Sequence, residues 1–267
     1  MKILNSEINL ESFYNNLKRS SKSVLFLDYD GTLAPFHENP KKAKPYPGVS
    51  NLINKIMEIP ENRVVIISGR WTKDLKSLLI LNKNPEIWGS HGIERLEADG
   101  NYEIEDMEEN ALKGLSWADE WVEENDLSKY CEAKPGCLAI HWRGLDETTV
   151  KKIHQKVKPQ WTKFAYSFGL ELKEFDGGFE LRVPGRDKGD AVTTILSEMN
   201  SHAISAYLGD DLTDEDAFKA IKGKGLGILV RSELRETSAD VWIKPPEELF
   251  QFLSNWVNIT GGKNGNS

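Results

Sequence analysis

Cysteine is scarce in this chain of 267 residues, which has only Cys131 and Cys137. Neither lies in a Cys-x-x-Cys or other zinc-ligand spacing, so the sequence argues against a zinc site and favours reduced thiols. Long apolar runs are also missing: no stretch is long enough to span a bilayer, and residues 1–20 lack the continuous apolar segment of a signal peptide. These absences predict a cytoplasmic protein without a membrane partner.

Basic stretches are absent as well. The formal net charge is −8 and no segment is rich in lysine and arginine, so the phosphate backbone of a nucleic acid would be repelled. We therefore expect no nucleic-acid partner. A site for a small anionic substrate would need its own local cations, which a metal ion and a few lysines can supply.

What the sequence does contain is an apolar strand that runs into two acids. Residues 23–27 read Ser-Val-Leu-Phe-Leu, and Asp28-Tyr29-Asp30-Gly31-Thr32 follows. In an extended backbone the i,i+2 spacing puts both carboxylates on one side. Two such acids repel unless a cation lies between them, which indicates an Mg²⁺ site with one oxygen left to attack phosphorus. Taken alone, the segment is equally consistent with a strand followed by an Asp-Gly turn.

A second acidic cluster follows another predicted strand, at residues 204–208. It reads Gly209-Asp210-Asp211-Leu212-Thr213-Asp214-Glu215-Asp216. Asp210 and Asp211 are predicted at the carboxyl end of that strand, where ligands bind in open α/β sheets. Glu215 and Asp216 are interpreted as first-turn acids that complement a helix dipole.

Strands and helices alternate along most of the chain, which predicts a parallel sheet covered on both faces. The predicted elements include a helix over 47–59 and strands over 63–67, 87–88, 226–230 and 240–243. Residues 106–180 are more polar and more β-like than their flanks. We therefore predict an α/β protein with a Rossmann-like core, residues 1–105 and 181–267, and an inserted α+β domain, residues 106–180.

The chain offers every part that attack on a phosphate monoester requires. Asp28 would be the nucleophile and form an aspartyl-phosphate, Asp30 would be the acid and base, and Thr32 would orient Asp30. Ser68 ends the second predicted strand and could donate to a phosphoryl oxygen, although without further context an ordinary N-cap or turn serine is the preferred interpretation. Lys188 begins a predicted helix, where its charge opposes the helix dipole and hints at an anionic partner.

These segments resemble the four motifs of the haloacid dehalogenase superfamily of phosphatases. The motifs occur in order as residues 28–32, Ser68-Gly69-Arg70, Lys188-Gly189 and residues 209–214. More narrowly, the chain resembles trehalose-6-phosphate phosphatases. That likeness rests on Ser90-His91-Gly92-x-Glu94, on Glu132-x-Lys134 followed by His141-Trp142-Arg143, and on Phe179-Glu180-Leu181-Arg182.

The resemblance implies the haloacid dehalogenase core fold, with a cap as the inserted domain, and Mg²⁺-dependent hydrolysis of trehalose 6-phosphate. The catalytic residues that it implies are Asp28, Asp30, Thr32, Ser68 and Lys188. The metal residues are Asp28, Asp30, Asp210, Asp211 and Asp214, and the substrate-binding residues are Arg70, Glu132, Lys134 and Glu180. The implied partners are a small sugar phosphate and, as a candidate, a separate trehalose-phosphate synthase.

One departure from the family pattern keeps the identity of the sugar open. Trp142 stands where the family usually has tyrosine, and Pro135-Gly136 follows the glutamate and lysine. One alternative is the same chemistry on another sugar or osmolyte phosphate, such as sucrose phosphate or glucosylglycerol phosphate. A catalytically silent regulatory subunit is the other alternative. The presence of all four residues argues against it: Asp28, Asp30, Lys188 and Asp210.

Overall fold

The computed structural model describes residues 1–37, 39–175, 177–199 and 203–262. The chain divides into a core unit, Met1–Glu103 with Asp187–Ser267, and an inserted unit, Ile104–Arg186. The sequence placed the second boundary after residue 180. The division instead follows residue 186, because the strand Gly178–Arg182 pairs along its whole length with two strands of the inserted unit.

The elements alternate between strand and helix through most of the core unit. The strands are β1 (Lys2–Ile3), β2 (Ser23–Leu27), β3 (Asn62–Ile67), β4 (Glu86–Gly89), β5 (Glu94–Leu96), β6 (Tyr102–Ile104), β7 (Cys131–Lys134), β8 (Cys137–His141), β9 (Glu171–Phe175), β10 (Gly178–Arg182), β11 (Ile204–Gly209), β12 (Leu226–Val230) and β13 (Val241–Ile243). The α-helices are α1 (Leu10–Arg19), α2 (Val49–Glu58), α3 (Thr72–Leu78), α4 (Glu109–Glu124), α5 (Glu147–Phe168), α6 (Lys188–Glu198), α7 (Glu215–Ile221) and α8 (Glu247–Gly261). In the part of the chain that the structure describes, no helix has both the length and the apolar content to cross a bilayer.

The core unit is built on one sheet with the strand order β1-β13-β12-β11-β2-β3-β4-β5-β6. The strands from β13 through β11, β2 and β3 to β4 are parallel, whereas β1 and β5 are antiparallel to their neighbours. The predicted α/β class with a parallel sheet is therefore confirmed.

Alternate residues of β2 pack into two different apolar clusters. Leu25 and Leu27 join the side chains of α2 and α8, whereas Val24 and Phe26 join those of α6 and α7. Burial of each such side chain contributes about 1.5–3 kcal/mol, so a strand that is buried on both faces is held tightly in register. This burial fixes the point at which β2 ends and Asp28 begins.

The apolar spacing of residues 47–59 forms α2 as predicted, with Val49, Leu52, Ile53 and Ile56 buried on one face. In the inserted unit, the order β7-β8-β10-β9 makes an antiparallel sheet, one face of which packs on α4 and α5. Helix α5 is longer than its predicted core around residues 150–157. Its amino end is capped by the Asp146 side chain and its carboxyl end by Gly169 at φ 69°.

The parallel direction of neighbouring strands decides where the motifs meet. β2 lies between β11 and β3, so the residues that follow these three strands emerge at one edge of the sheet. Those residues begin at Asp28, Ser68 and Asp210.

Candidate active site

Asp28 lies directly after β2, and its backbone nitrogen extends the ladder by donating to the carbonyl of Leu208 at 2.9 Å. The residue is 3% exposed. Oδ1 accepts a hydrogen bond from Nζ of Lys188 at 2.7 Å, and Oδ2 is buried without a hydrogen-bond partner among the described residues. One carboxylate oxygen is therefore held by an ammonium group while the other keeps its lone pairs for a ligand.

Asp28 belongs to a cluster of three buried acids. One carboxylate oxygen from each of Asp28, Asp210 and Asp214 lies within 4.8 Å of the others. Burial raises the pKa of Asp28 to about 7, although Lys188 acts in the opposite direction. Burial, reinforced by the charges of Asp28 and Asp214, holds the pKa of Asp210 well above its ordinary value. The three acids outnumber the one lysine beside them, so the raised pKa values mark a place that favours binding of a proton or another cation.

Lys188 bridges two of these acids. Its ammonium donates to Asp28 and to Asp214, both at 2.7 Å. Burial lowers its pKa, but the carboxylates of Asp214 and Asp28 outweigh burial, so the pKa is raised and the lysine stays charged. Asp187 caps α6 by accepting from the backbone of Gly189 and Asp190, which places the lysine at the first turn.

Asp214 serves as an anchor for its own loop. Its Oδ1 accepts from Lys188 and from the hydroxyl of Tyr207 at 2.5 Å, and its Oδ2 accepts from the backbone nitrogens of Asp210 and Asp211 at 2.9 Å. Both oxygens are thereby occupied. Asp28 and Asp210 are consequently better placed than Asp214 to hold a metal ion.

The site fits Mg²⁺ on its own chemistry. It offers carboxylate oxygens, which this hard cation prefers. One of them, Oδ2 of Asp28, has no hydrogen-bond partner among the described residues. Three acids beside one lysine also favour the binding of a cation. Gly31 lies against the site at φ 81°, and a Cβ atom there would be 2.0 Å from Oδ2 of Asp210. Only glycine permits this close approach, because any side chain would displace the carboxylate.

Two predicted metal residues lie outside the close cluster. The carboxylate of Asp211 accepts from the backbone nitrogen of Leu212 at 2.7 Å and caps the short helix over residues 212–214. That of Asp30 forms two hydrogen bonds with Arg70, to Nε at 2.5 Å and to Nη2 at 2.6 Å. Both side chains are engaged by other groups, so the structure brings neither into the cluster.

The Asp30–Arg70 pair is itself held in place. Nη1 of Arg70 donates to the carbonyl of Pro40 at 2.9 Å, and its guanidinium lies 5.5 Å from the ring centre of Tyr29. Thr32, predicted to orient Asp30, is buried, and its hydroxyl makes no hydrogen bond to that residue. In this structure the hydrogen bonds to the Asp30 carboxylate come from Arg70 and not from Thr32.

Ser68 directly follows β3 at the same edge of the sheet and is 1% exposed. Its hydroxyl oxygen accepts from the backbone nitrogen of Arg70 at 3.2 Å, while its carbonyl accepts from the backbone nitrogen of His91 at 3.0 Å. The hydroxyl hydrogen is thus available for a donor role. His91 lies over Gly69, where a Cβ atom would be 2.4 Å from the imidazole Nε2.

In the inserted unit, the three predicted substrate residues share one face of the sheet. Glu132 and Glu180 both pair with Ala139, from opposite sides, and Lys134 lies two residues after Glu132. Lys134 and Glu180 form a buried ion pair at 3.1 Å, and the glutamate raises the pKa of the lysine against the effect of burial. Glu132 contacts Nε2 of His141 at 3.0 Å.

Comparison with known proteins decides the family. The profile of the trehalose-phosphatase family matches residues 26–242 of the chain. A relative from Arabidopsis thaliana, described as a probable trehalose-phosphate phosphatase, is 30% identical over 88% of this chain and 76% of its own. The chain belongs to the trehalose-phosphatase family.

Solved structures agree with this assignment. One described as a trehalose-6-phosphate phosphatase related protein matches with a TM-score of 0.72 at 26% identity, covering 90% of this chain and all of that one. A phosphatase of the haloalkanoate (HAD) enzyme superfamily from Bacteroides thetaiotaomicron matches in fold, with a TM-score of 0.59 at 16% identity over 89% of this chain and 96% of its own. The predicted family, fold class and phosphoric monoester hydrolase class are confirmed.

Sequence reasoning missed Tyr207 at this trehalose-phosphatase site. Tyr207 lies inside β11, and its buried hydroxyl donates to Asp214. Burial and the adjacent Asp214 raise the pKa of Tyr207 well above its ordinary value, so the hydroxyl keeps its proton. The tyrosine is one of several large side chains in an apolar strand, and its spacing carries no signal of a polar role.

Proposed function

We propose that this chain hydrolyses trehalose 6-phosphate to trehalose and phosphate, with Mg²⁺, through an aspartyl-phosphate on Asp28. The observation that carries the proposal is the buried Asp28 carboxylate, with one oxygen on Lys188 and the other unpartnered within a cluster of acids. Membership of the trehalose-phosphatase family supports the reaction class and the substrate.

In the first half of the reaction, an Asp28 oxygen attacks phosphorus and the bond from phosphorus to the sugar oxygen breaks. Lys188 orients the nucleophile and offsets negative charge next to it. Ser68 donates its hydroxyl hydrogen to a phosphoryl oxygen. All three side chains are at least nine-tenths buried, so little reorganisation is needed when charge moves.

Asp28 and Asp210 would hold Mg²⁺, with Asp214 fixing the loop that carries Asp210. When bound, the ion neutralises charge on the phosphoryl oxygens and on the crowded carboxylates. Asp211 acts through the backbone of this loop, because its side chain caps the adjacent turn.

Asp30, once protonated, donates its proton to the departing sugar oxygen and then accepts one from the water that hydrolyses the aspartyl-phosphate. The oxygen that carries the proton gives up its hydrogen bond from Arg70 in this step. Arg70, predicted as a substrate ligand, binds both oxygens of Asp30. We therefore assign Arg70 to orienting this acid. Thr32 fills a buried position beside it.

The inserted unit is proposed to recognise the sugar. Trehalose is neutral and dense in hydroxyls apart from its phosphate, and charged side chains make strong hydrogen bonds to hydroxyl groups. Glu132, Lys134 and Glu180 lie together on one sheet face, which supports a shared binding role. A cytoplasmic location and a separate trehalose-phosphate synthase as the source of substrate belong to the same proposal.

A substrate panel tests this function. Phosphate release is measured from trehalose 6-phosphate, sucrose phosphate, glucosylglycerol phosphate and glucose 6-phosphate, each with MgCl₂ and with EDTA. We expect Mg²⁺-dependent release with a clear preference for trehalose 6-phosphate. Comparable kcat/KM values on all substrates would refute the specificity, and absence of release from every substrate would support the silent regulatory subunit.

The Asp28→Asn variant tests the assignment of Asp28 as the nucleophile. It is expected to lose turnover while it keeps the circular dichroism spectrum of the parent chain. Retained turnover would assign the attack on phosphorus to another group.

A further inference from the structure

Arg235 lies in the segment that follows β12, and its guanidinium donates hydrogen bonds to the backbone of the loop that carries Asp210. Nε donates to the carbonyl of Asp210 at 3.3 Å and Nη2 to the carbonyl of Asp211 at 2.7 Å. Nη1 donates to Glu215 at 2.5 Å and to the carbonyl of Glu236 at 2.7 Å. All three guanidinium nitrogens are thus engaged, and the side chain is 18% exposed.

Glu215 joins the two segments from the other side. Its Oε1 also accepts from the hydroxyl of Thr237 at 2.8 Å, and its Oε2 accepts from the backbone nitrogen of Ser238 at 2.7 Å. The sequence predicted Glu215 to be a first-turn acid of the helix. The structure gives it a further role, as the counter-charge and anchor of Arg235.

These contacts fix the backbone of Asp210 and Asp211 at both of its polar groups. Asp214 accepts from the two backbone nitrogens, and Arg235 donates to the two carbonyl oxygens. Only the side-chain torsions of Asp210 then stay free, and Gly31 packs directly against its carboxylate. Nη1 of Arg231 also donates to the carbonyl of Asp210, at 3.4 Å. Because Arg235 holds the carbonyl of Asp211 as well, the direction of the Asp210 carboxylate toward Asp28 depends mainly on Arg235.

We propose that Arg235 is a positioning residue for Asp210 and that it sets the affinity of the acid cluster for Mg²⁺. This inference rests on the metal role of the cluster in the proposed function. It extends that function to a residue that does not touch substrate or metal. Loss of residues that orient metal ligands typically weakens metal binding about 10–100-fold.

An argument from charge alone predicts tighter Mg²⁺ binding when Arg235 is removed, so the direction of the change distinguishes the two explanations. A guanidinium near a cation site repels the cation, so its removal would tighten Mg²⁺ binding if electrostatics dominated. If positioning dominates, removal weakens binding. Lysine separates the two effects further, because it keeps the charge but lacks the planar fork that reaches two carbonyls and a carboxylate.

The experiment is calorimetric titration of MgCl₂ into the full chain and its variants Arg235→Gln and Arg235→Lys. Arg19→Gln, which changes an exposed arginine at the end of α1, is the control for loss of one charge. We expect the Kd for Mg²⁺ to rise about 10-fold or more in both Arg235 variants and to stay unchanged in the control. Thermal melts in EDTA verify that each variant is folded.

Turnover gives a second readout. The Mg²⁺ concentration for half-maximal activity should rise in parallel with the Kd, whereas kcat at saturating Mg²⁺ should return to within about three-fold of the parent value. A general structural defect would lower kcat at every Mg²⁺ concentration. If Arg235→Gln does not fold, Arg235→Lys and Glu215→Gln decide, because both keep most of the packing.

The outcomes are distinguishable. A Kd that is unchanged or lower in the folded Arg235 variants would overturn the positioning role and leave the proposed function intact. Absence of Mg²⁺ binding by the parent chain would overturn the metal role itself, and the positioning role with it.

Discussion

Replacing Asp28 by asparagine is expected to stabilise the metal-free protein above pH 7 although it removes the nucleophile. The reason is the burial of the carboxylate, which raises its pKa from 3.8 to about 7. The folded state therefore binds the Asp28 proton more tightly than the unfolded state. Stability contributed by the protonated form is lost as the pH rises from about 4 through 7. Asparagine does not titrate and avoids this loss.

The magnitude follows from the same difference. About three pH units correspond to about 4 kcal/mol at 25 °C, fully expressed above pH 7. For a folding unit of this size, that free energy corresponds to an increase in Tm of about 10 °C. Asparagine keeps an oxygen that can accept the hydrogen bond from Lys188, so the gain is not offset by a lost contact.

The assay is a set of thermal melts in EDTA at pH 5, 6, 7 and 8 for the parent chain and the Asp28→Asn variant. The Tm difference should be smallest at pH 5, grow up to about pH 7 and level off between pH 7 and pH 8. Added Mg²⁺ should raise the Tm of the parent chain more than that of the variant, since Asp28 is a proposed ligand. A variant that is less stable than the parent at pH 8, or a difference that does not change with pH, would refute the reasoning.

Three further predictions concern other groups of the site. Lys188→Ala leaves two buried carboxylates without their counter-charge and should cost about 3–5 kcal/mol of unfolding free energy, measured by urea denaturation in EDTA at pH 8. Asp30→Asn should lower kcat for trehalose 6-phosphate about 100-fold or more with little change in KM, measured by phosphate release, because it removes a proton donor. Glu132→Gln should raise KM for trehalose 6-phosphate several-fold, because Glu132 is a proposed ligand of the sugar. Hydrolysis of an aryl phosphate, which lacks that sugar, should stay unchanged; in the structure Glu132 contacts His141 of the inserted unit.

Each of these has its own control. Lys188→Arg keeps the charge and should recover most of the stability that alanine loses; equal losses would contradict the ion-pair argument. Arg70→Lys keeps one contact to Asp30 and should lower kcat less than Asp30→Asn. Glu171→Gln changes another partly exposed glutamate of the same sheet and should leave KM unaltered. A parallel loss of aryl phosphate hydrolysis in Glu132→Gln would place that residue at the reaction centre instead of the sugar site.

The elements that the sequence predicted well are those with a strong local pattern. β12 was predicted at its observed bounds, residues 226–230, and α2 within two residues at its amino end. α2 has apolar residues at helical spacing, and β12 is an apolar run with the length of a buried strand. α5 was predicted too short because its limits depend on Asp146 and Gly169, which are capping residues outside the apolar pattern.

The candidate site was predictable where it depends on strand ends. Asp28, Ser68 and Asp210 follow three strands that are neighbours in the sheet, so the parallel order alone brings them to one edge. The hydrogen-bond partners of the side chains next to these residues were not predictable. Arg70 was expected on the substrate and binds Asp30, and Asp211 was expected on the metal and caps a turn.

The sequence by itself determined the family, the α/β class and the order of the acids along the chain, because these follow from short-range patterns and from motif order. Only the tertiary structure decided which groups of the site form hydrogen bonds and ion pairs with one another. Lys188 bonds to a residue 160 positions away, and Arg235 grips the carbonyls of a loop 24 and 25 positions before it. Such pairings arise from how strands and helices pack, so no local spacing records them.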